Sequence, residues 1–187
     1  MKTLIYELFS GVGFCNQLFS LETAIYLSNI MNRKLILIIR HPLCHCGRTS
    51  WDYGKFLDFF NNNYKQFLPY GMEVYYKTIS GQISKIISSK DCITINFPRK
   101  FSQIVIIDKH LYTDENKEEI KTYRHFRDEF VIDFNSYDQE YIYINKSNAS
   151  RCFYNFYTTQ DNYILMSKIC ESLTHLHEPF NIIDLNI

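Results

Sequence analysis

The chain has 187 residues, 46% of them hydrophobic and 21% charged, which is enough for one domain with a sizeable core and excludes a disordered chain. Lys and Arg together number 20, as do Asp and Glu, so no charge excess points to nucleic acid or an anionic membrane as a partner. No apolar run is long enough for a membrane span, and MKTLIYELFSGVGF is too short and too polar for a secretory signal. A cytoplasmic location is therefore expected. The six cysteines (Cys15, Cys44, Cys46, Cys92, Cys152, Cys170) are then expected as free thiols, not as a disulfide framework.

Thr3 to Leu8 is a short apolar run suited to a buried parallel strand. SGVGFCNQLFSLETA, residues 10–24, follows, with Gly11 and Gly13 between that strand and a helical pattern. Leu18, Leu21, Ala24, Ile25 and Met31 recur at helical spacing and predict a helix over Gln17 to Asn32, broken at Asn32-Arg33. Lys34 to Ile39 is a branched apolar run of strand length. Strand, glycine loop, helix and strand make a βαβ unit, whose crossover is right-handed.

Arg40 to Ser50 is a polar loop, and Trp51 to Phe60 has the spacing of a short helix, followed by a turn at Asn61 to Asn63. A short helix is expected over Ser80 to Ser88, and strands over Cys92 to Phe97 and Gln103 to Ile107. Asp114 to Arg127 is charged and solvated. Phe130 to Phe134 and Glu140 to Asn145 alternate as strands or extended loop do. Thr158 to Leu173 carries a helical apolar stripe, and Phe180 to Ile187 reads as a last strand. Alternating strands and helices of this kind predict an α/β fold, a Rossmann-like domain with a mostly parallel sheet.

The glycine loop is not a dinucleotide fingerprint: Asn16 stands at the third glycine, and the second strand ends in Arg40 and His41 instead of an acid. Nor is it a P-loop, because no Gly-Lys-Ser/Thr occurs. What remains is a glycine turn leading to a helix N-terminus, whose free N–H groups and dipole favour an anion. Asn16 stands where an N-cap would sit, and two readings stay open: it caps the helix, or its amide reaches a ligand. Arg40 and Arg48 flank the polar loop at the carboxyl end of the second strand, where open α/β sheets place ligands; they meet a phosphate or acidic acceptor there, or are solvated. His41, Cys44, His45 and Cys46 crowd one loop, but Cys44-x-Cys46 is too tight for the usual zinc pattern, so no metal is assigned. Asp52 and Asp58 are general acid or base candidates, with Asp52 also placed to cap the following helix.

The stretch Gly13 to Ala24 (GFCNQLFSLETA), followed by Asn32 to Leu37 (NRKLIL), resembles the start of the GT-B fucosyltransferases, a group that includes protein O-fucosyltransferases and α1,2- and α1,6-fucosyltransferases. Trp51 to Phe60 resembles the aromatic and acidic segment after the second strand of that group, and the likeness extends up to Phe60. The resemblance implies an N-terminal, acceptor-side Rossmann-like domain over residues 1–176, with residues 177–187 starting a second domain that is otherwise absent. It implies that Gly11, Gly13 and Asn16, with Gln17 beside them, face a cleft in which Asn16 contacts the sugar or pyrophosphate of GDP-fucose. The transfer it implies is inverting and needs no metal or other cofactor.

In that group an arginine in an H-x-R motif of the second domain neutralises the leaving pyrophosphate. Here the matching stretch is Asn181 to Ile187, where Asp184 and Asn186 stand in the places of His and Arg. The chain is thus expected to be inactive alone, as an N-terminal half or remnant, with a nucleotide sugar and a glycan or protein acceptor as partners; no catalytic residue is assigned. An alternative of a different class is a non-catalytic α/β module that binds a glycan or a peptide. An accidental glycine pattern would bind neither.

Overall fold

The structure, a computed structural model, describes residues 1–8, 14–39, 55–58, 60–76, 81–95, 103–107, 129–132, 137–145, 156–157 and 160–174. β1 (Thr3–Glu7), α1 (Phe14–Ile30) and β2 (Lys34–Ile39) form the expected βαβ unit. The short helix expected around Trp51 to Phe60 is α2 (Lys55–Asp58), followed by a 3₁₀ turn over Asn62–Phe67 that Asn61 caps through its side-chain oxygen. β3 (Met72–Tyr76), α3 (Gly81–Ile87) and β4 (Cys92–Ile95) come next. β5 (Gln103–Ile107), β6 (Glu129–Ile132), β7 (Tyr141–Ile144), β8 (Phe156–Tyr157) and α4 (Gln160–Thr174) complete the described elements. The last strand expected over Phe180 to Ile187 lies outside the described residues.

Five strands pair in the order β3-β2-β1-β7-β4, and every pairing is parallel. β1 is the centre, with Ile5 opposite Ile36 on one side and Tyr143 on the other. β5, β6 and β8 form a separate parallel set in the order β6-β5-β8. The protein is an α/β Rossmann-like fold. It departs from the usual doubly wound order in one respect: β7, and not the next strand in the chain, lies against β1.

Strand alternation sorts the core into two layers. Leu4, Tyr6, Leu35, Leu37, Ile142 and Ile144 point to one face, where α1, α4, Tyr64 of the 3₁₀ turn, Phe56 and Phe60 cover them. Ile5, Ile36, Ile38 and Tyr143 point to the other, packed with Ile83 of α3. Helices on both faces explain why β1 and β2 read as unbroken apolar runs instead of alternating ones. α1 is apolar around most of its circumference because it lies between the sheet and α4, so Leu21, Ala24, Ile25, Tyr26 and Leu27 are all buried.

The stop of α1 has a clear cause. Asn32 adopts φ 50°, the left-handed conformation that Asn tolerates better than most residues. The Asn32 N–H donates to Asn29 O at 3.0 Å and the Arg33 N–H to Ser28 O at 3.0 Å, a Schellman ending that satisfies two orphan carbonyls. The Ser28 hydroxyl donates back to Arg33 O at 2.7 Å.

Arg33 itself is only 2% exposed. Its guanidinium donates to the carbonyl oxygens of Tyr137 (3.0 Å), Gln139 (2.8 Å) and Glu140 (3.2 Å), fastening the lead-in of β7 beneath the turn after α1. Burial holds this guanidinium below its usual range, and Asp138 opposes that shift. Lys2 pairs with Asp138 and Lys34 with Glu73 at the same amino edge of the sheet. The basic turn Asn32-Arg33-Lys34 is thus a structural fastening.

One expectation is corrected, and one element is added. α1 begins at Phe14, so Asn16 lies inside the first turn and is not its N-cap. Residues 72–76 form an edge strand that no expectation covered, because MEVYY is half-exposed and carries Glu73. Among the described residues, no helix is long and apolar enough to cross a membrane.

Candidate functional site at the carboxyl edge of the sheet

A parallel sheet presents all its strand carboxyl ends along one edge. Ligands of open α/β folds bind there, where the connections of neighbouring strands diverge. In this chain β1 ends at Glu7, with β2 and β7 as its two neighbours, and the Leu8 N–H extends the ladder by donating to Ile38 O at 2.8 Å. Residues 9–13 join that point to α1.

Glu7 is 1% exposed and lies on the isoleucine-rich face of the sheet. The Tyr143 hydroxyl donates to its Oε2 at 2.5 Å, so the carboxyl ends of β1 and β7 are tied by a buried, short hydrogen bond. On the opposite face the Ser20 hydroxyl of α1 meets the Tyr6 hydroxyl at 3.4 Å. Gln17, in the first turns of α1, is 1% exposed. Burying a carboxylate in a parallel strand costs free energy unless its hydrogen bonds are made, and Tyr143 supplies one of them.

At the end of β3, Tyr76 is partly exposed and Asp58 of α2 acts on it electrostatically. Burial, with Asp58 adding to it, pushes the Tyr76 phenol above its ordinary range; burial, with Tyr76 adding to it, does the same to Tyr64. Both phenols therefore stay neutral donors near neutral pH. Glu7, Tyr143 and Tyr64 are closed off in the core, and Tyr76 is the exposed one of these groups, a neutral phenol that suits a hydroxyl-rich ligand. None of them neutralises a phosphate.

Of the residues singled out from the sequence, the structure describes the backbone of Asn16 within α1 and the side chain of Gln17, which is buried. Gly11, Gly13, Arg40 and Arg48 lie outside the described residues, as do Asp52 and the His41, Cys44, His45 and Cys46 loop. Asp58 is exposed on α2, within electrostatic reach of Tyr76. Cys92 and Cys170 are free thiols. Among the described residues no cluster of His, Cys, Asp and Glu has the makings of a metal site.

Glu7 and Tyr143 were not singled out from the sequence. The available signal was a lone acid at the carboxyl end of an otherwise apolar strand, but its partner lies 136 residues away. No known family model, no curated protein and no solved structure matches the chain.

Proposed function

We propose that this chain is the N-terminal, Rossmann-like half of a fucosyltransferase-like sugar transferase, one wall of a cleft that a second domain completes. The observation that supports this reading is the β1-α1-β2 unit at the centre of an all-parallel sheet, in which the segment carrying Gly11 and Gly13 joins the carboxyl end of β1 to α1. The donor in this reading is a nucleotide sugar of the GDP-fucose class and the acceptor a glycan or protein. Asn16 and Gln17, with the glycine loop, meet the donor. Arg40 and Arg48 meet its phosphates, opposite in charge to them. Transfer is an inverting displacement at the anomeric carbon. Asp184 and Asn186 stand where the His and Arg of that group would, so this stretch does not supply the cation that neutralises the departing pyrophosphate.

Titration calorimetry of the full chain with GDP, GDP-fucose and simple glycans tests the reading. Binding of GDP-fucose without turnover is expected. Glycan binding with no nucleotide binding overturns it in favour of a non-catalytic module, which the exposed Tyr76 phenol at the carboxyl edge would suit. Binding of neither returns the glycine pattern to coincidence.

A further inference from the structure

Glu22 sits in the middle of α1 and is 3% exposed, enclosed where α4 packs on α1. Its hydrogen-bond partner is the Cys170 thiol of α4. Among the described residues no cation pairs with it. The titratable groups on the packed elements are few. α4 brings Cys170, with Lys168 and Glu171 exposed and Asp161 and Tyr163 in its first turn; α1 itself brings buried Tyr26; the 3₁₀ turn brings buried Tyr64 and exposed Lys65; β2 brings Lys34, already paired with Glu73 at the amino edge. A thiol is a weak donor and does not compensate a buried negative charge. A neutral carboxyl suits such a place; a carboxylate does not.

We propose that the α1–α4 contact is a pH-sensitive joint: Glu22 is held there as the neutral acid, and its ionisation weakens the hold of α4 on α1. Burial pushes the Glu22 carboxyl up to about 7, with the Cys170 hydrogen bond opposing the shift. Burial first, and then Glu22, push the Cys170 thiol up to about 12, so it stays protonated as the donor throughout the physiological range. Glu22 is the member of the pair that titrates.

The sign follows from linkage. With the docked carboxyl at about 7 and the released one at 4.5, the docked state holds more protons between those values. The stabilisation is full below 4.5 and is lost as pH rises through about 7. The docking equilibrium falls by about tenfold between pH 6 and pH 8. Ile169, Ser172 and Leu173, all buried in the docked state, are the α4 residues held less firmly.

Hydrogen exchange of the full chain, corrected for intrinsic rates, tests this at both pH values. Protection of α4 is expected to fall about tenfold from pH 6 to pH 8 relative to β1 and β2, and Glu22→Gln is expected to abolish the fall. An unchanged α4, an equal loss across β1, β2 and α4, or the same fall in Glu22→Gln overturns the proposal. Because a buried glutamine can perturb folding, the carboxyl 13C titration of Glu22 in the unaltered chain gives an independent measure. A midpoint near 7 supports the joint, and a midpoint in the ordinary carboxylate range overturns it.

Discussion

Tyr143 and Glu7, 136 residues apart in the chain, meet at 2.5 Å where β7 and β1 end side by side. The bond runs inside an isoleucine layer, so its loss is not made good by water. Tyr143→Phe keeps the ring and removes the donor; it is expected to lower folding stability by about 1–3 kcal/mol. Urea unfolding with an unchanged slope checks this, since a changed slope would mean a changed native or denatured state instead.

Arg33 gives a second prediction. Arg33→Met preserves much of the volume but takes a donor from the carbonyls of Tyr137 and Gln139; Glu140 O keeps the Thr3 N–H at 2.8 Å. The expected cost is roughly 3 kcal/mol or more. Arg33→Lys is expected to recover little of it, because one ammonium cannot span the positions that the planar fork reaches. Denaturant midpoints for the two variants check both statements.

Asn32 discriminates between side chain and backbone as the cause of the α1 stop. At φ 50° glycine is unstrained, so Asn32→Gly is expected to be neutral or slightly stabilising. Asn32→Val puts a branched side chain in the same conformation and is expected to cost about 1–2 kcal/mol. Thermal unfolding, in which 1 kcal/mol moves the midpoint by roughly 2–4 °C for a domain of this size, separates the two.

Leu173 is fully buried where α4 meets the rest of the core. Leu173→Ala is expected to cost about 2–5 kcal/mol through lost transfer energy and the cavity left behind. Its exchange signature should be largest in α4, whatever the pH, in contrast to the pH-dependent effect assigned to Glu22.

The apolar strands were legible because both faces of a parallel sheet are covered. Leu4 to Tyr6 and Leu35 to Ile39 are unbroken apolar stretches of strand length, as strands covered on both faces require. β7 is legible as a strand or an extended loop but not as a neighbour of β1, since four residues of YIYI carry no record of their pairing. β3 was missed because an edge strand needs little hydrophobic content. The start of α1 was placed three residues late because its first turn, Phe14 to Asn16, carries no apolar repeat to announce it.

The polar groups show the same limit. Glu7 follows an apolar strand run, Glu22 lies within a helix and Arg33 lies in a polar turn between Asn32 and Lys34, and charge in such places ordinarily marks a solvated face. Each is buried by an element far away in sequence: β7, α4 and the lead-in to β7. Their roles depend on distant pairing, and local spacing does not encode it.

The strand order bears on how the chain is made. β1, β2 and β3 are all synthesised by residue 76 and can zip together as they emerge, each finding its neighbour already present. β4 emerges next, but among the described residues its sheet partner is β7, which is translated only at Tyr141–Ile144. Over that interval β4 has an unsatisfied ladder and β1 an open flank, the condition under which nascent strands pair with the wrong chain. A nascent chain in which β7 is untranslated or still inside the exit tunnel therefore carries a sticky half-sheet, and one in which β7 has emerged does not.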